Sequence, residues 1–462
     1  MDLHHLTATQ ALKLFVSREL SPVELLDACV RRTEQVESTV NALTEELLFD
    51  AYVAAREAER RYAGQGPSPR ALEGLPLVLK EEQAIAGKTL EEGSLLLRGH
   101  LAEVTHPVVE RVLAAGAVVH ARSATPEFSC APVTHSRLWG VTRNPWNPAM
   151  SPGGSSGGAA AALAAGETLL ATGSDIGGSI RLPASFCGLV GFKPPFGRVP
   201  GLAPFNADTY CADGPLARSV GDAALLQNVL AGPHWADPVS LRPAYRIPVA
   251  PQAGDSVRVA LCVSLGDYDV DPVVEANTRA AGDALRSKGV TVEEVTLPWT
   301  RQQISDAAWA HYGAVLGAAI GTVVGERAQD LMTYTVDFAE RSAAAASYAE
   351  GLLAEATIYE PLGALLDSYD ALLCPTVATT GFPADAGAQA PYDWGDALMT
   401  VPFNIAGRLP VLALPSGVAP NGIPTGVQLV GRPYDDATVF GLGTALEQAL
   451  AMWTSPDWWP TP

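Results

Sequence analysis

A chain of 462 residues, 48% of them hydrophobic, is long enough to bury a large core, and 50 acidic against 30 basic side chains leave a formal net charge of −20. That balance argues against a nucleic-acid partner, because gripping phosphates needs clustered Lys and Arg; the acid surplus reads as a solvating surface. Six scattered cysteines form no C-x-x-C pair, so they offer no zinc or dithiol framework and suit a reducing compartment. With no basic-then-apolar leader in Met1–Gln10, the expectation is a cytoplasmic protein.

The first 65 or so residues read as helical. Ser21-Pro22-Val23-Glu24 is a helix start, with Ser as N-cap, Pro in the first turn and Glu at the third position. Ala51–Tyr62 reads as an exposed, charge-laced helix, and Gly64–Pro69 as a loop. Strand-like apolar runs follow at Leu75–Leu79, Ala117–Ala121, Thr168–Thr172 and Leu189–Phe192. Val257–Val263 and Val290–Val295 flank a helical Val274–Lys288, a β-α-β unit; Ala371–Cys374, Val411–Leu414 and Gly426–Val430 are the late strands. Strands alternating with helices throughout predict an α/β protein, one large domain spanning 1–462 with a central mixed β-sheet flanked by helices.

Ala307–Gly325 carries no formal charge. Its length suits a membrane span, but its Ala/Gly composition predicts a buried helix instead. Gly313, Gly317, Gly321 and Gly325 recur every four residues on it, one side-chain-free stripe. Three uses stay open: close packing on another helix, the wall of a substrate channel, or a seam between two copies.

Several motifs fail on their context. Gly87-Lys88-Thr89 ends like a phosphate loop, but Glu82 stands where that loop needs glycine; Gly441-Leu442-Gly443 meets Leu446 at its third glycine position. No H-E-x-x-H occurs. Gly153-Gly154-Ser155-Ser156-Gly157 fits the nucleophile-elbow pattern, which requires a preceding strand and a later histidine. A proline-broken loop precedes it, and the later histidines are His234, in a loop, and His311, in the Ala/Gly helix.

Two Gly/Ser segments hold up better: Pro152–Gly158, running into Ala159–Ala165, and Gly173–Ala184, with Gly177-Gly178-Ser179 at its centre. Dense glycines let backbone N–H groups converge on one point, as an anion nest or an oxyanion hole requires. A pair of flexible loops would look the same. Lys80 closes the apolar strand Leu75–Leu79. There its ammonium would be partly desolvated, which favours a neutral amine able to accept a proton; alternatively it reaches the surface beside Glu81 and Glu82.

Taken in order, the strand-end lysine, the G-G-S-S-G-G run and the D-I-G-G-S-I-R-x-P-A run resemble the amidase signature family. Asp213–Arg218, Pro402–Gly407 and Gly422–Gln428 extend the resemblance over nearly the whole chain. It implies a cofactor-independent, metal-free amidohydrolase with Ser179 as nucleophile, Lys80 as base and Ser155, after a cis peptide, as proton relay. It further implies that the amides of Ile176, Gly177, Gly178 and Ser179 hold the oxyanion, that Asp175, Arg181 and Ser156 support the loop, and that Ser129 binds substrate. Phe128, Cys130, Trp139 and Met150 are the expected apolar pocket. The parts would be a helical 1–65, a catalytic core 66–235, a variable substrate-side helical region 236–370, and C-terminal strands and helix 371–462.

The expected activity is hydrolysis of a carbon–nitrogen bond in a small-molecule amide. The alternatives are the glutaminase half of a transamidase assembly or an acyl-transferring amidase; monomer or homodimer behaviour with free turnover would separate a stand-alone amidase from the assembly subunit. Glu81-Glu82, Ser123-Ala124-Thr125-Pro126-Glu127 and Met150 depart from the family pattern, where Asp-Asn, an Asn-containing form and Arg are frequent. These departures bear on the substrate rather than on the triad.

Overall fold

β-branched and leucine-rich runs of four to eight residues supply most of the eleven strands of one sheet. The computed structural model describes residues 2–242, 244–248, 256–324, 327–388, 394–452, 455 and 458–460. In chain order the strands are β1 (Leu43–Glu46), β2 (Pro76–Lys80), β3 (Val118–Ser123), β4 (His135–Ser136), β5 (Gly140–Val141), β6 (Leu170–Asp175), β7 (Val190–Lys193), β8 (Ala212–Ala217), β9 (Arg258–Leu261), β10 (Thr291–Glu294), β11 (Ala371–Pro375), β12 (Val411–Val418) and β13 (Pro424–Gly431). β4 and β5 form a separate small hairpin; the others lie in the order β1-β3-β2-β6-β8-β7-β12-β13-β11-β9-β10.

The sheet is mixed. β3, β2 and β6 run parallel, the centre from β6 to β11 alternates antiparallel, and β11, β9 and β10 are parallel again. The predicted β-α-β unit is present as β9, the helix Pro272–Ser287 and β10. Alternation sends successive side chains to opposite faces. Leu412 and Leu414 of β12 join Leu77, Leu79 and Phe192 in the largest core, under helices Val220–Leu230 and Asp436–Leu450. Ala413 between them faces the helix Gly157–Ala165. That helix is apolar all round and every residue in it is buried, as such a composition requires.

The predicted strands recur within a few residues, and the Ser21 cap is present: Ser21 Oγ accepts from Glu24 N at 3.1 Å, and Glu24 accepts from Ser21 N at 2.8 Å. Two strands of the large sheet and the small β4–β5 hairpin were not predicted. β1 reads Leu-Thr-Glu-Glu and β8 contains Gly214 and Pro215, residues that local preference keeps out of strands.

The Ala/Gly segment departs from expectation. It is the helix Arg301–Tyr312, a π-helical turn Gly313–Gly317 and the helix Ala318–Val324. Leu316 and Ile320 are buried, but Gly321 and Val323 are exposed, so the segment is one-sided rather than buried throughout. Gly313 and Gly317 press against Ser342 of the helix Thr333–Ala344: a Cβ on Gly317 would lie 2.5 Å from Ser342 Oγ, and one on Gly313 2.7 Å from its carbonyl oxygen. A Cβ on Gly321 would meet nothing within 4 Å, and Gly325 lies outside the described residues. Close packing thus accounts for half of the stripe. Among the described residues no helix is long and apolar enough to cross a membrane.

Candidate active site

β2 and β6 are neighbours in the sheet, and both end at the same edge of the core. β2 ends on Lys80, which is fully buried. Its Nζ lies 2.7 Å from Ser155 Oγ, 2.9 Å from Ser174 Oγ and 3.1 Å from Glu82 Oε1. The lysine therefore neither snorkels to the surface nor stands alone. Ser155 follows a cis peptide bond from Gly154, at the entrance to the helix Gly157–Ala165. Ser156 Oγ and Ser174 tie the two Gly/Ser segments together through Ser174 O and N, each at 3.3 Å.

Beyond β6 the chain turns through Ile176-Gly177-Gly178 and presents Ser179 at the start of the helix Arg181–Cys187. Gly178 sits at φ +127°, and a Cβ there would run into Thr400; one on Gly177 would lie 2.7 Å from Tyr312 Oη. Both positions need glycine. Ser156 N donates to Ser179 O at 3.1 Å, which locks the two segments in register.

Asp175 is the anchor of this turn. Its carboxylate accepts from Gly178 N (2.8 Å), Ile180 N (3.2 Å), Arg181 Nε and an Arg181 terminal nitrogen (2.9 Å each) and Asn404 Nδ2 (2.8 Å). Burial alone would raise its pKa, but the Arg181 guanidinium and these donors hold it at about 2. The expectation for Gly178 is corrected here: its N–H is committed to Asp175 and does not face the cavity. The amides of Ile176, Gly177 and Ser179 find no acceptor among the described residues.

Arg181 spends its remaining donors on Thr400 O (3.0 Å), Gln428 Oε1 (2.9 Å) and Asn404 Oδ1 (2.7 Å), while Thr400 Oγ1 donates to Gly177 O (2.6 Å). Asn404, Gln428 and Thr400 were not assigned roles from sequence. They lie more than 200 residues away and meet the loop only because β13 and the helix Pro402–Ile405 fold beside it.

Ser179, Ile176, Gly177 and Gly178 line a cavity of about 130 Å³ walled by Ser129, Cys130, Tyr268, Trp309, Tyr312 and Phe338, among others, with Arg301, Asp337 and Arg341 also on its lining. A larger cavity, about 610 Å³, contains Ser155, Ser174, Ser129, Phe128, Glu82, Glu92, His106 and Asp213. The expected pocket residues divide. Cys130 lines the first cavity, where burial pushes its thiol up to about 12; Phe128 lines the second. Trp139 lies in the β4–β5 hairpin, its amide bonded to Ser136 Oγ, and Met150 packs beside Gly381; neither lines these two cavities. Residues close in sequence to the serines thus supply part of the lining, and the helices after residue 300 add Trp309, Tyr312 and Phe338 to it. Glu127 fastens them: it accepts from Ser94 Oγ, Met332 N and Thr335 Oγ1 at 2.9, 2.7 and 2.6 Å.

Behind the glycine turn, His311 is sandwiched by charge. Its Nε2 is 2.7 Å from Asp208 Oδ1 and its Nδ1 3.4 Å from Glu355 Oε1, and Tyr210 stacks on its ring. Burial disfavours the imidazolium, but the two carboxylates outweigh it and raise the pKa to about 9. The next residue, Tyr312, donates to Ile176 O at 3.2 Å.

A family model described as Amidase matches residues 24–440. The chain belongs to the amidase signature family. It is accordingly a hydrolase of amide bonds. A glutamyl-tRNA(Gln) amidotransferase subunit of Chloroflexus aggregans is 33% identical, with 97% of each chain covered, and its counterpart in Synechococcus sp. (strain CC9605) is 34% identical with 98% of each covered. Among solved structures, a bacterial aryl acylamidase superposes with a TM-score of 0.90 at 26% identity, covering 98% of both chains. A 6-aminohexanoate cyclic dimer hydrolase gives 0.85 at 27% identity, covering 98% of this chain and 99% of that one. This amidase shares with them its eleven-stranded mixed sheet flanked by helices.

Proposed function

We propose that this amidase hydrolyses a small-molecule amide bearing a compact apolar acyl group, through a seryl acyl-enzyme formed on Ser179. The observation that carries the reading is the 2.7 Å hydrogen bond between buried Lys80 and Ser155, beside the glycine turn that ends in Ser179. Ser179 Oγ bonds the carbonyl carbon as its proton passes to Ser155 and that of Ser155 to the neutral amine of Lys80. The oxyanion meets the uncommitted amides of Ile176, Gly177 and Ser179. Collapse breaks the C–N bond, Ser155 returns the proton to the leaving nitrogen, and water then hydrolyses the ester by the same relay.

The two cavities support a direction for the substrate. Ser179 and the aromatic wall share the smaller one, whose volume is close to the ~150 Å³ apolar void that accepts a benzene ring. Ser155, which must protonate the nitrogen, opens on the larger, acid-lined one. The acyl group therefore belongs beside Trp309, Tyr312 and Phe338, and the amine beyond Ser155. Likeness to an aryl acylamidase is consistent with an aromatic-walled site.

The test is a panel of benzoyl, phenylacetyl, acetyl and glutaminyl amides, with intact-mass detection of the acyl-enzyme. Benzoyl or phenylacetyl adducts on Ser179 are expected, and Ser179→Ala should lower kcat by ~10³-fold or more while leaving the fold intact. Near-normal turnover by folded Ser179→Ala rejects the triad. Identity to amidotransferase subunits over almost the full chain favours a second reading, a glutaminase half that feeds ammonia to a partner. Glutamine's charged ends would then pair with Arg301, Asp337 or Arg341. Glutamine turnover that depends on a co-purifying partner would select that reading.

A further inference from the structure

Of the three polar groups around Lys80 Nζ, the relay uses Ser155; Glu82 has no part in it. Glu82 stands two residues beyond the catalytic strand, with its side chain only 19% exposed. One carboxylate oxygen lies 3.1 Å from Lys80 Nζ, and the other accepts from Ser129 Oγ, itself 2.8 Å from Thr125 Oγ1. Arg122, on the neighbouring strand β3, is taken up by Glu81 and Glu45. Among the described ion pairs Lys80 is the partner of Glu82 and of no other acid. Lys80 also acts electrostatically on Glu92, Asp213 and Cys211, and His106 lies 3.6 Å from Asp213. The surroundings are acidic, and Glu82 is the acid in contact.

We propose that Glu82 is a positioning residue that holds Lys80 against Ser155 and sets the pH at which Lys80 becomes a base. The proposal rests on the Lys80–Ser155–Ser179 reading above. A carboxylate in contact favours the ammonium form, so the free base appears only at higher pH than it would beside a neutral amide. In return, the ammonium that forms when Ser155 gives up its proton is created next to its counter-ion. When Ser155 reclaims the proton for the leaving nitrogen, the pair returns to carboxylate and neutral amine, so the cycle balances without any external proton.

The experiment follows inactivation by phenylmethylsulfonyl fluoride from pH 5 to 10, since this reads nucleophile activation whatever the true amide is. Ser179 Oγ displaces fluoride from sulfur, its proton passing to Lys80 through Ser155. Peptide mass spectrometry identifies the modified residue, and circular dichroism checks the fold. In Glu82→Gln and Glu82→Asn the midpoint of the rate–pH curve should fall by ~1–3 pH units, as loss of a contacting opposite charge implies. Glu82→Asp should stay nearer the wild type. A merely structural role would lower the rate at every pH without moving the midpoint. Ser179 modified with an unmoved or raised midpoint in whichever of the two neutral variants folds overturns the proposal; modification of another residue, or none, overturns the triad reading and the proposal with it.

Discussion

Asp175→Asn tests the anchor of the oxyanion turn. The substitution keeps the shape but removes the charge that Arg181 faces, with both side chains fully buried 2.9 Å apart. The gap between about 2 in the fold and 3.8 for a free side chain is worth ~2 kcal/mol of folding stability. That figure covers only ionised against protonated Asp175. Leaving the guanidinium without a counter-ion raises the cost toward the ~3–5 kcal/mol typical of a broken buried pair, and one of the two Asn positions must also turn an N–H toward donors. A loss of ~3–5 kcal/mol is expected from urea unfolding at pH 7, followed by tryptophan fluorescence. The sign sets the pH behaviour. A depressed carboxylate contributes fully above its unfolded pKa of 3.8 and loses that contribution as pH falls through about 2. The deficit should therefore be the same at pH 7 and pH 5. A deficit under ~1 kcal/mol at pH 7, or one that closes between pH 7 and pH 5, would refute the argument.

Lys80→Arg should fold and be almost inactive, because a guanidinium stays protonated; measurable hydrolysis at pH 9 would remove Lys80 from the base role. Gly317→Leu should cost ~1–3 kcal/mol through its clash with Ser342, with part of it recovered by Ser342→Gly, whereas Gly321→Ala should be neutral or gain up to ~1 kcal/mol; thermal unfolding of the three variants separates them. His311→Gln should lower Tm most below pH 6.5, since a raised pKa contributes fully below the unfolded value and is lost as pH rises through about 9. A Tm difference from wild type that stays constant from pH 6 to pH 10 would show that the imidazolium charge does not matter.

How far the residues alone led depends on how locally each feature is encoded. Lys80, Ser155, Ser179, Asp175 and Arg181 stand in short runs whose spacing is itself the signal. Strands such as β2, β7 and β12 announce themselves through continuous apolar residues, as strands buried on both faces do. β8 does not, because it carries Gly214 and Pro215; the glycine is required by its neighbours, since a Cβ at 214 would run into the Phe192 carbonyl oxygen. The pocket was legible only in kind. An apolar wall was expected from Phe128, Cys130, Trp139 and Met150; Cys130 lines the cavity beside Ser179 and Phe128 the larger one, while tertiary packing brings Trp309, Tyr312 and Phe338 from the far half of the chain. Gly178 was misread for a subtler reason: a dense run of amides indicates a nest, but not which N–H its own supporting carboxylate consumes.

The reach of Arg181 across the chain has a bearing on biosynthesis. A nascent polypeptide synthesised as far as residue 395 already contains the lysine and both serines. Arg181, however, still lacks Thr400, Asn404 and Gln428, three of its buried acceptors. A dry guanidinium with open donors is costly, so the turn that carries Ser179 has no stable home until β13 is added beside β12 and β11. Ser179 is thus encoded before mid-chain, while the acceptors that hold its turn through Arg181 are complete only with the last strand of the described sheet.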